Sequence, residues 1–204
     1  MAEKLISGKL PILALRGLAV YPDQTVHFDV GRHKSVLALD AAMKSDQTLL
    51  LIPQRDLTMD DPNLEDLYTI GTVAKVKQVL KSQGENLRVL VTGVRRAKIA
   101  EMQQTEPYLS GIVESVPEHP AANTTRSQAL RREANMMFGF YNEMLEHPAQ
   151  AVQLKLLGSE NDGYMADTIG QNSGIDFPEK VKLLLQLNPP RRLEMCITML
   201  RREG

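Results

Sequence analysis

The sequence predicts an α+β chain in two parts: a barrel-like β region followed by a helical bundle. Three observations predict this. Residues 9–116 are short β-branched runs separated by turn signals, with one helical stretch among them. Past residue 126 the apolar side chains recur at spacings of three and four. Between the two lies Glu-His-Pro-Ala-Ala-Asn-Thr-Thr-Arg, residues 118–126, where proline and small polar residues dominate as in a linker. The expected organisation is a β unit over 1–117, a linker over 118–126 and a helical unit over 127–204.

The first strand is read over Leu10 to Leu15. Pro11 near its start suggests an edge or strand-initial position, because proline cannot donate to a ladder. Thr25 to Val30 alternates, with Val26, Phe28 and Val30 on one face. The interrupting helix runs from Lys34 to Lys44, where Val36, Leu39 and Met43 lie at helical spacing. Leu49 to Ile52 is a short, wholly apolar strand. Gly71 to Leu80 is another, with Lys75 and Lys77 on one face and Ala74, Val76 and Leu80 on the other. The turn Gln83-Gly84-Glu85-Asn86 joins it to Leu87–Val91 as a hairpin, and Gly93 ends the second arm. Ala97–Ala100 and Ser110–Val116 supply two more strands. A meander with so few helical crossovers argues for a closed or half-closed barrel.

In the second part, Leu130, Ala134, Met137, Tyr141 and Met144 mark one face of a helix. A shorter helix follows Pro148, and another spans roughly Tyr164 to Gly170. Asp176, with Glu179 three residues on, looks like an N-cap leading into Val181, Leu184 and Leu185. Asn188-Pro189-Pro190 opens a last helix, since proline fits a first turn, and Leu193, Cys196, Ile197 and Leu200 form its apolar face. Nothing in the pattern stops that helix at Arg202-Glu203-Gly204 other than Gly204 as a C-cap. The expectation is a helix cut inside a longer protein.

Composition excludes several classes. Of 204 residues, 43% are apolar and 24% charged, an ordinary globular balance. No run approaches the roughly 20 apolar residues of a membrane span, and the first eight residues lack the apolar stretch of a secretory signal. Cys196 is the only cysteine, so no intrachain disulfide forms, and a cytoplasmic location is expected. Residues 1–120 hold 14 Lys and Arg against 15 Asp and Glu, and residues 121–204 hold 10 of each. Neither half concentrates the positive charge typical of a nucleic-acid binder.

Catalytic signatures are missing. The only Gly-Lys step, Gly8-Lys9, is followed by Leu10 and makes no phosphate loop. No two glycines lie two apart, so the dinucleotide fingerprint is absent, and no Gly-x-Ser-x-Gly elbow occurs. His27, His33, His119 and His147 are far apart in sequence, and a lone cysteine adds nothing to a metal site. Lys34-Ser35 and Lys81-Ser82 are adjacent pairs, poorly placed for a catalytic dyad. No catalytic, cofactor-binding or metal-binding residue is expected in this chain.

Several segments carry a family likeness. Leu13-Ala14-Leu15-Arg16-Gly17-Leu18-Ala19-Val20-Tyr21-Pro22 resembles a Leu-Pro-Leu-Arg opening followed by a hydrophobic pair, an aromatic and proline, with Ala14 in place of the usual proline. Gly31-Arg32-His33-Lys34-Ser35, Gly71-Thr72-Val73-Ala74 and Val89 to Ala97, with Gly93 and Arg96 inside it, are similar to three further segments of the same family. Met165 to Ile169 and Phe177 to Leu184 extend the likeness into the helices. In this order and spacing they resemble the N-terminal substrate-recognition region of bacterial Lon-type ATP-dependent proteases. The resemblance implies a pseudo-barrel related to RNA-binding PUA modules. It implies a last helix that continues toward an ATPase ring, where ATP and magnesium are expected, and a Ser-Lys protease domain. The implied partners are unfolded or damaged polypeptides, the remaining domains and sister subunits of a hexamer, with no membrane. The other readings are an RNA-binding module, in which Lys75, Lys77, Arg88, Arg95, Arg96 and Lys98 cluster, and a freestanding adaptor.

For Leu15, Arg16, Tyr21, Pro22, Gly31, Arg32, Gly71, Gly93 and Arg96 the expected role is architectural: turns, bulges and a carboxylate partner for Arg16. Met136-Met137-Phe138-Gly139-Phe140-Tyr141 is apolar nearly all round a helix. One reading buries it as core. The other makes Met136, Phe140, Met137 and Phe138 candidates for an adaptable surface that holds unfolded polypeptide, with Met136 and Phe140 outward and Met137, Tyr141 and Met144 inward. Arg131-Arg132, Arg191-Arg192 and Arg201-Arg202 read as solvated helix charges. Asn123-Thr124-Thr125 matches the glycosylation pattern by chance.

Overall fold

The computed structural model describes residues 7–81, 84, 86–120 and 124–203. The chain divides into two units, Met1–Pro117 and Glu118–Gly204. The first unit holds strands β1 (Ser7–Leu15), β2 (Thr25–Val30), β3 (Thr48–Pro53), β4 (Gly71–Lys81), β5 (Leu87–Gln104) and β6 (Ser110–Ser115), with helix α1 (His33–Met43) between β2 and β3. The second holds α2 (Thr125–Glu143), α3 (Gln150–Leu157), α4 (Asp162–Asn172), α5 (Phe177–Leu185) and α6 (Pro189–Glu203).

The strands pair in the order β2-β5-β4-β3-β1-β6, and β6 pairs back onto β5. Five strands therefore close a ring, and β2 lies outside it on β5. The closing element is β5 itself, which is 18 residues long. Along one edge it holds β4 from Leu87 to Ala97. Along the other it holds β2 up to Thr92 and then β6 from Ala97 to Gln104. The segment expected as two strands separated at Gly93 is thus one continuous strand. Gly93 does not end it. A side chain there would overlap the Tyr21 carbonyl, because the Tyr21–Pro22 backbone crosses at that point and Asp23 N–H donates to the Gly93 carbonyl at 2.9 Å. Glycine permits that close approach.

β3 carries the core. Leu49 and Leu51 face one apolar cluster with Leu13, Leu15, Val89 and Val91, while Leu50 and Ile52 face a second with Ile12, Val73 and Val113. All four leucine and isoleucine side chains are buried, which accounts for the unbroken apolar run. Val26 and Phe28 of β2 and Val36 and Met43 of α1 pack onto the first cluster.

Two strand readings need correction. β1 is not an edge strand, for it lies between β3 and β6. Ile12 N–H donates to Leu109 across the β6 side, so alternation turns the Pro11 nitrogen toward β3, one residue before that ladder opens at Ile12–Leu50. Proline is tolerated there because no donor is required. In β4, Leu80 is 53% exposed, not inward. The register slips between Val76 and Gln78, a bulge that reverses the alternation and turns Val79 inward instead. In the β4–β5 turn, Gln83 and Glu85 lie outside the described residues, whereas Gly84 has a φ of 75°.

The expected linker is partly structured. Glu118 bonds Arg192 of α6 at 2.7 Å and His119 N–H donates to the Leu187 carbonyl at 3.0 Å, both within the helical unit. Thr124 is the N-cap of α2, accepting from Ser127 N–H at 3.1 Å, so Thr125 and Arg126 are already helix. Residues 121–123, Asn123 of the glycosylation pattern among them, and Gly204 lie outside the described residues. Asp176 stands at the start of α5, yet its side chain caps no backbone N–H. Ahead of α6, Asn188 does form a cap, accepting from Arg191 N–H at 3.1 Å.

Candidate polypeptide-binding surface

α2 sorts its apolar residues by a 3.6-residue period. Its buried face runs Ser127, Leu130, Arg131, Ala134, Phe138, Tyr141 and Asn142. Polar bonds fix the last turn of that face. The Tyr141 hydroxyl accepts from Gly174 N–H at 2.7 Å, while Asn142 donates to Gln153 at 3.0 Å and accepts from Ala149 N–H at 2.6 Å. Phe138 packs 5.9 Å from the Tyr141 ring and is wholly buried. Phe138 therefore leaves the candidate surface and belongs to the core.

The opposite face is apolar too. Met136 and Phe140 are each 54% exposed and Met144 is 57% exposed, at positions i, i+4 and i+8. Met144 was expected inward. The helix ends at Glu143, and Met144 follows the outward stripe because it lies four residues beyond Phe140. Met137 is half-buried between the two faces. Gly139 lies against α3, where an added Cβ would meet Gln153 Nε2 at 3.2 Å. α3 exposes Leu154 and Leu157 while burying Leu156. Sequence reasoning missed those two leucines. The signal was present, since a two-turn helix cannot turn Leu154, Leu156 and Leu157 to one side.

The family-signature residues fall into groups in the β unit. Leu15, Arg16, Gly31 and Arg32 line one cleft of about 460 Å³. Arg32 crosses it, donating to the Ala14 carbonyl and to Gln54 Oε1, each at 2.7 Å. Burial lowers its pKa, and the neighbouring Arg16 charge lowers it further, while Asp60 and Asp61 act the other way. Arg16 pairs with Asp60 at 3.2 Å on the surface. Tyr21, Pro22, Gly93 and Arg96 meet elsewhere: Pro22 bridges Gly93, and the buried Arg96 guanidinium lies 5.9 Å from the centre of the buried Tyr21 ring. Gly71 stands apart, with the Leu51 carbonyl in the space a side chain would need.

Two arginines read as solvated helix charges are buried. Arg192 has no exposed side-chain surface. It donates to Glu118 at 2.7 Å and lies 3.4 Å from buried Asp167, an ion pair that falls short of hydrogen-bond geometry. Arg131 pairs with buried Asp162 at 2.9 Å. Helical spacing carried the signal: Arg192 lies four residues before Cys196 and Arg131 seven before Phe138, each on the buried stripe. Of the cations weighed for RNA, Arg96 is buried, Arg88 pairs with Asp29 at 3.1 Å and Lys75 donates to Thr48 at 3.3 Å. Among the described residues no helix is long and apolar enough to cross a membrane, and no group of three His, Cys, Asp or Glu is placed to hold a metal ion.

A family model described as the ATP-dependent protease La (LON) substrate-binding domain matches residues 9–202. The chain is 36% identical over 203 residues to the Lon protease of Brevibacillus choshinensis, covering 100% of this chain and 26% of that protein. It is 34% identical over 203 residues to Lon protease 1 of Bacillus subtilis, covering 100% and 26%. It thus spans about a quarter of the length of these relatives. Among solved structures, the N-terminal domain of Mycobacterium avium complex Lon protease matches with a TM-score of 0.79 at 22% identity, covering 97% of this chain and 100% of that one. The Lon N-terminal domain protein from Xanthomonas campestris matches with a TM-score of 0.64 at 16% identity, covering 94% and 98%. These two share the fold.

Proposed function

The chain belongs to the Lon substrate-binding domain family, and on that premise we propose that it recognises exposed apolar segments of unfolded or damaged polypeptides for an ATP-dependent protease. The observation that carries this reading is the outward stripe of Met136, Phe140 and Met144 on a helix whose other face is already packed. Unfolded chains share no fixed shape, so what they offer any receptor is apolar side chains and extended backbone. Methionine suits such a task, because its unbranched thioether adapts to varied neighbours. Covering a side chain of this size contributes about 1.5–3 kcal/mol when burial is complete. Ordering a flexible ligand opposes that gain, which places a single site at a Kd on the order of 10 µM or weaker. Assembly of several copies in a ring would raise this by avidity. ATP hydrolysis and peptide cleavage belong, in this proposal, to other parts of the protease. The RNA reading is weakened because Arg96 is buried and Arg88 and Lys75 have partners, which leaves Lys77 and Lys98 as its remaining exposed cations.

The test is the double substitution Met136→Ser with Phe140→Ser. Thermal melting should change little, because neither side chain is in the core. Titration with reduced, carboxymethylated lactalbumin should show binding weakened about tenfold or more, the loss of one to two buried side chains. A fall of several kcal/mol in stability would return both residues to the core. Unchanged binding would move recognition away from α2.

A further inference from the structure

We propose that the outer edge of β2 is a second docking element, which takes the substrate's extended backbone as an added strand; this rests on the polypeptide-binding reading above. β2 is the end strand of the sheet order, and among the described residues it pairs with β5 alone. The Gly93 N–H donates to the Gln24 carbonyl just ahead of the strand. Alternation then directs the backbone groups of Val26, Phe28 and Val30 at β5 and those of Thr25, His27 and Asp29 outward. No backbone bond beyond the ladder engages Thr25, His27 or Asp29 among the described residues. An open row of N–H and C=O groups at strand spacing is complementary to another strand.

Natural edges are commonly blunted by lysine, proline, a bulge or a covering element. Thr-Val-His-Phe-Asp-Val has neither lysine nor proline, and its register on β5 runs without a slip from Thr25 to Val30. The edge also leads into the cleft of about 460 Å³, where Phe28, Asp29 and Val30 form one wall and Leu13, Ala14 and Leu15 of β1 the other. Among the described residues β6 pairs with β1 from Ser7 to Pro11 and no strand lies on that side from Ala14 onward, where Arg32 bonds the Ala14 carbonyl. Asp29 is the one acidic residue of β2 and pairs with Arg88 at 3.1 Å, so the strand's edge itself suits a neutral segment; Arg32, across the cleft, is held by the neutral Ala14 carbonyl and Gln54. The half-buried Leu18 and Phe28 line the cleft and offer apolar contact to alternate side chains, while Leu13 and Leu15 belong to the core behind them.

The experiment changes backbone pairing alone. The probe is a dodecapeptide of alternating valine and threonine, compared with the same peptide N-methylated at every second residue. The first should bind the 204-residue chain, and the second should bind about tenfold more weakly, as loss of one to two hydrogen bonds dictates. His27→Pro, which removes one outward donor, should weaken the unmodified peptide by a similar factor and leave α2 intact. If His27→Pro fails to fold, the methylated peptide still decides. Equal affinity for both peptides overturns the added strand. Binding of carboxymethylated lactalbumin that survives His27→Pro but falls with Phe140→Ser overturns it while sparing the wider reading. A self-associating chain that His27→Pro turns monomeric would give the edge to a second copy and overturn the proposal as well.

Discussion

The two units bury polar groups in different ways. In the β unit Gln54 Nε2 donates to the carbonyls of Asp56 and Met59, the Thr72 hydroxyl donates to the Val20 carbonyl at 2.6 Å, and the buried Arg96 guanidinium lies over the Tyr21 ring. The helical unit buries whole ion pairs, Arg131 with Asp162 and Arg192 with Asp167 and Glu118, between segments more than 20 residues apart in sequence. A barrel satisfies its strands by closing on itself. Short helices have no such closure and are tied at particular points by side chains. The apolar surface differs as well. The exposed large hydrophobic residues of the β unit, Leu57, Leu64, Leu80 and Val94, are single residues on separate elements or loops, whereas α2 and its C-cap expose three at helical repeat, Met136, Phe140 and Met144. Isolated exposed hydrophobics are ordinary, and a stripe is a candidate interface.

That contrast is open to direct attack. The largest effect should come from Phe138→Ala, about 3–5 kcal/mol lost in chemical denaturation, while Phe140→Ala two residues away changes stability by less than about 0.5 kcal/mol. Similar losses from both would erase the distinction between the two faces of α2. Next is Arg192→Met, which removes the buried cation beside Asp167 together with its bonds to Glu118 and the Gln186 carbonyl and should cost about 3 kcal/mol. Asp167→Asn added to it should recover part of that loss, since the two sites are coupled. Arg88→Met in the β unit removes an exposed pair of the same chemistry and should cost at most about 1 kcal/mol. Equal costs for Arg192 and Arg88 would mean that burial of the helical pair is not what matters.

The β unit was largely legible in the sequence because strand alternation is local. It failed where one residue was inserted: Leu80 reads inward until the bulge at Lys77 reverses the parity, and a bulge has no composition of its own. Gly93 misled for a related reason. A glycine within a strand is needed when another backbone crosses, and the crossing segment, Tyr21–Pro22, lies some 70 residues earlier. In the helical unit the existence of each helix was legible; periodicity put Met136 and Phe140 on one face but left open whether that face is core or surface. Phe138 and Met144 were sorted to the wrong side because the stripe was phased through Met137 when it runs through Phe138. The buried arginines were hidden by residue type, though their spacing placed them among core positions.

The central claim is that substrate touches the outward face of α2, and site-specific crosslinking tests it most directly. A benzophenone amino acid in place of Phe140 should crosslink carboxymethylated lactalbumin on illumination, and unlabelled denatured protein should compete the product away. The same group in place of Lys182, on the exposed side of α5, should give little product. Equal yields at the two positions, or no yield at 140 while the chain still binds in titration, would contradict the account.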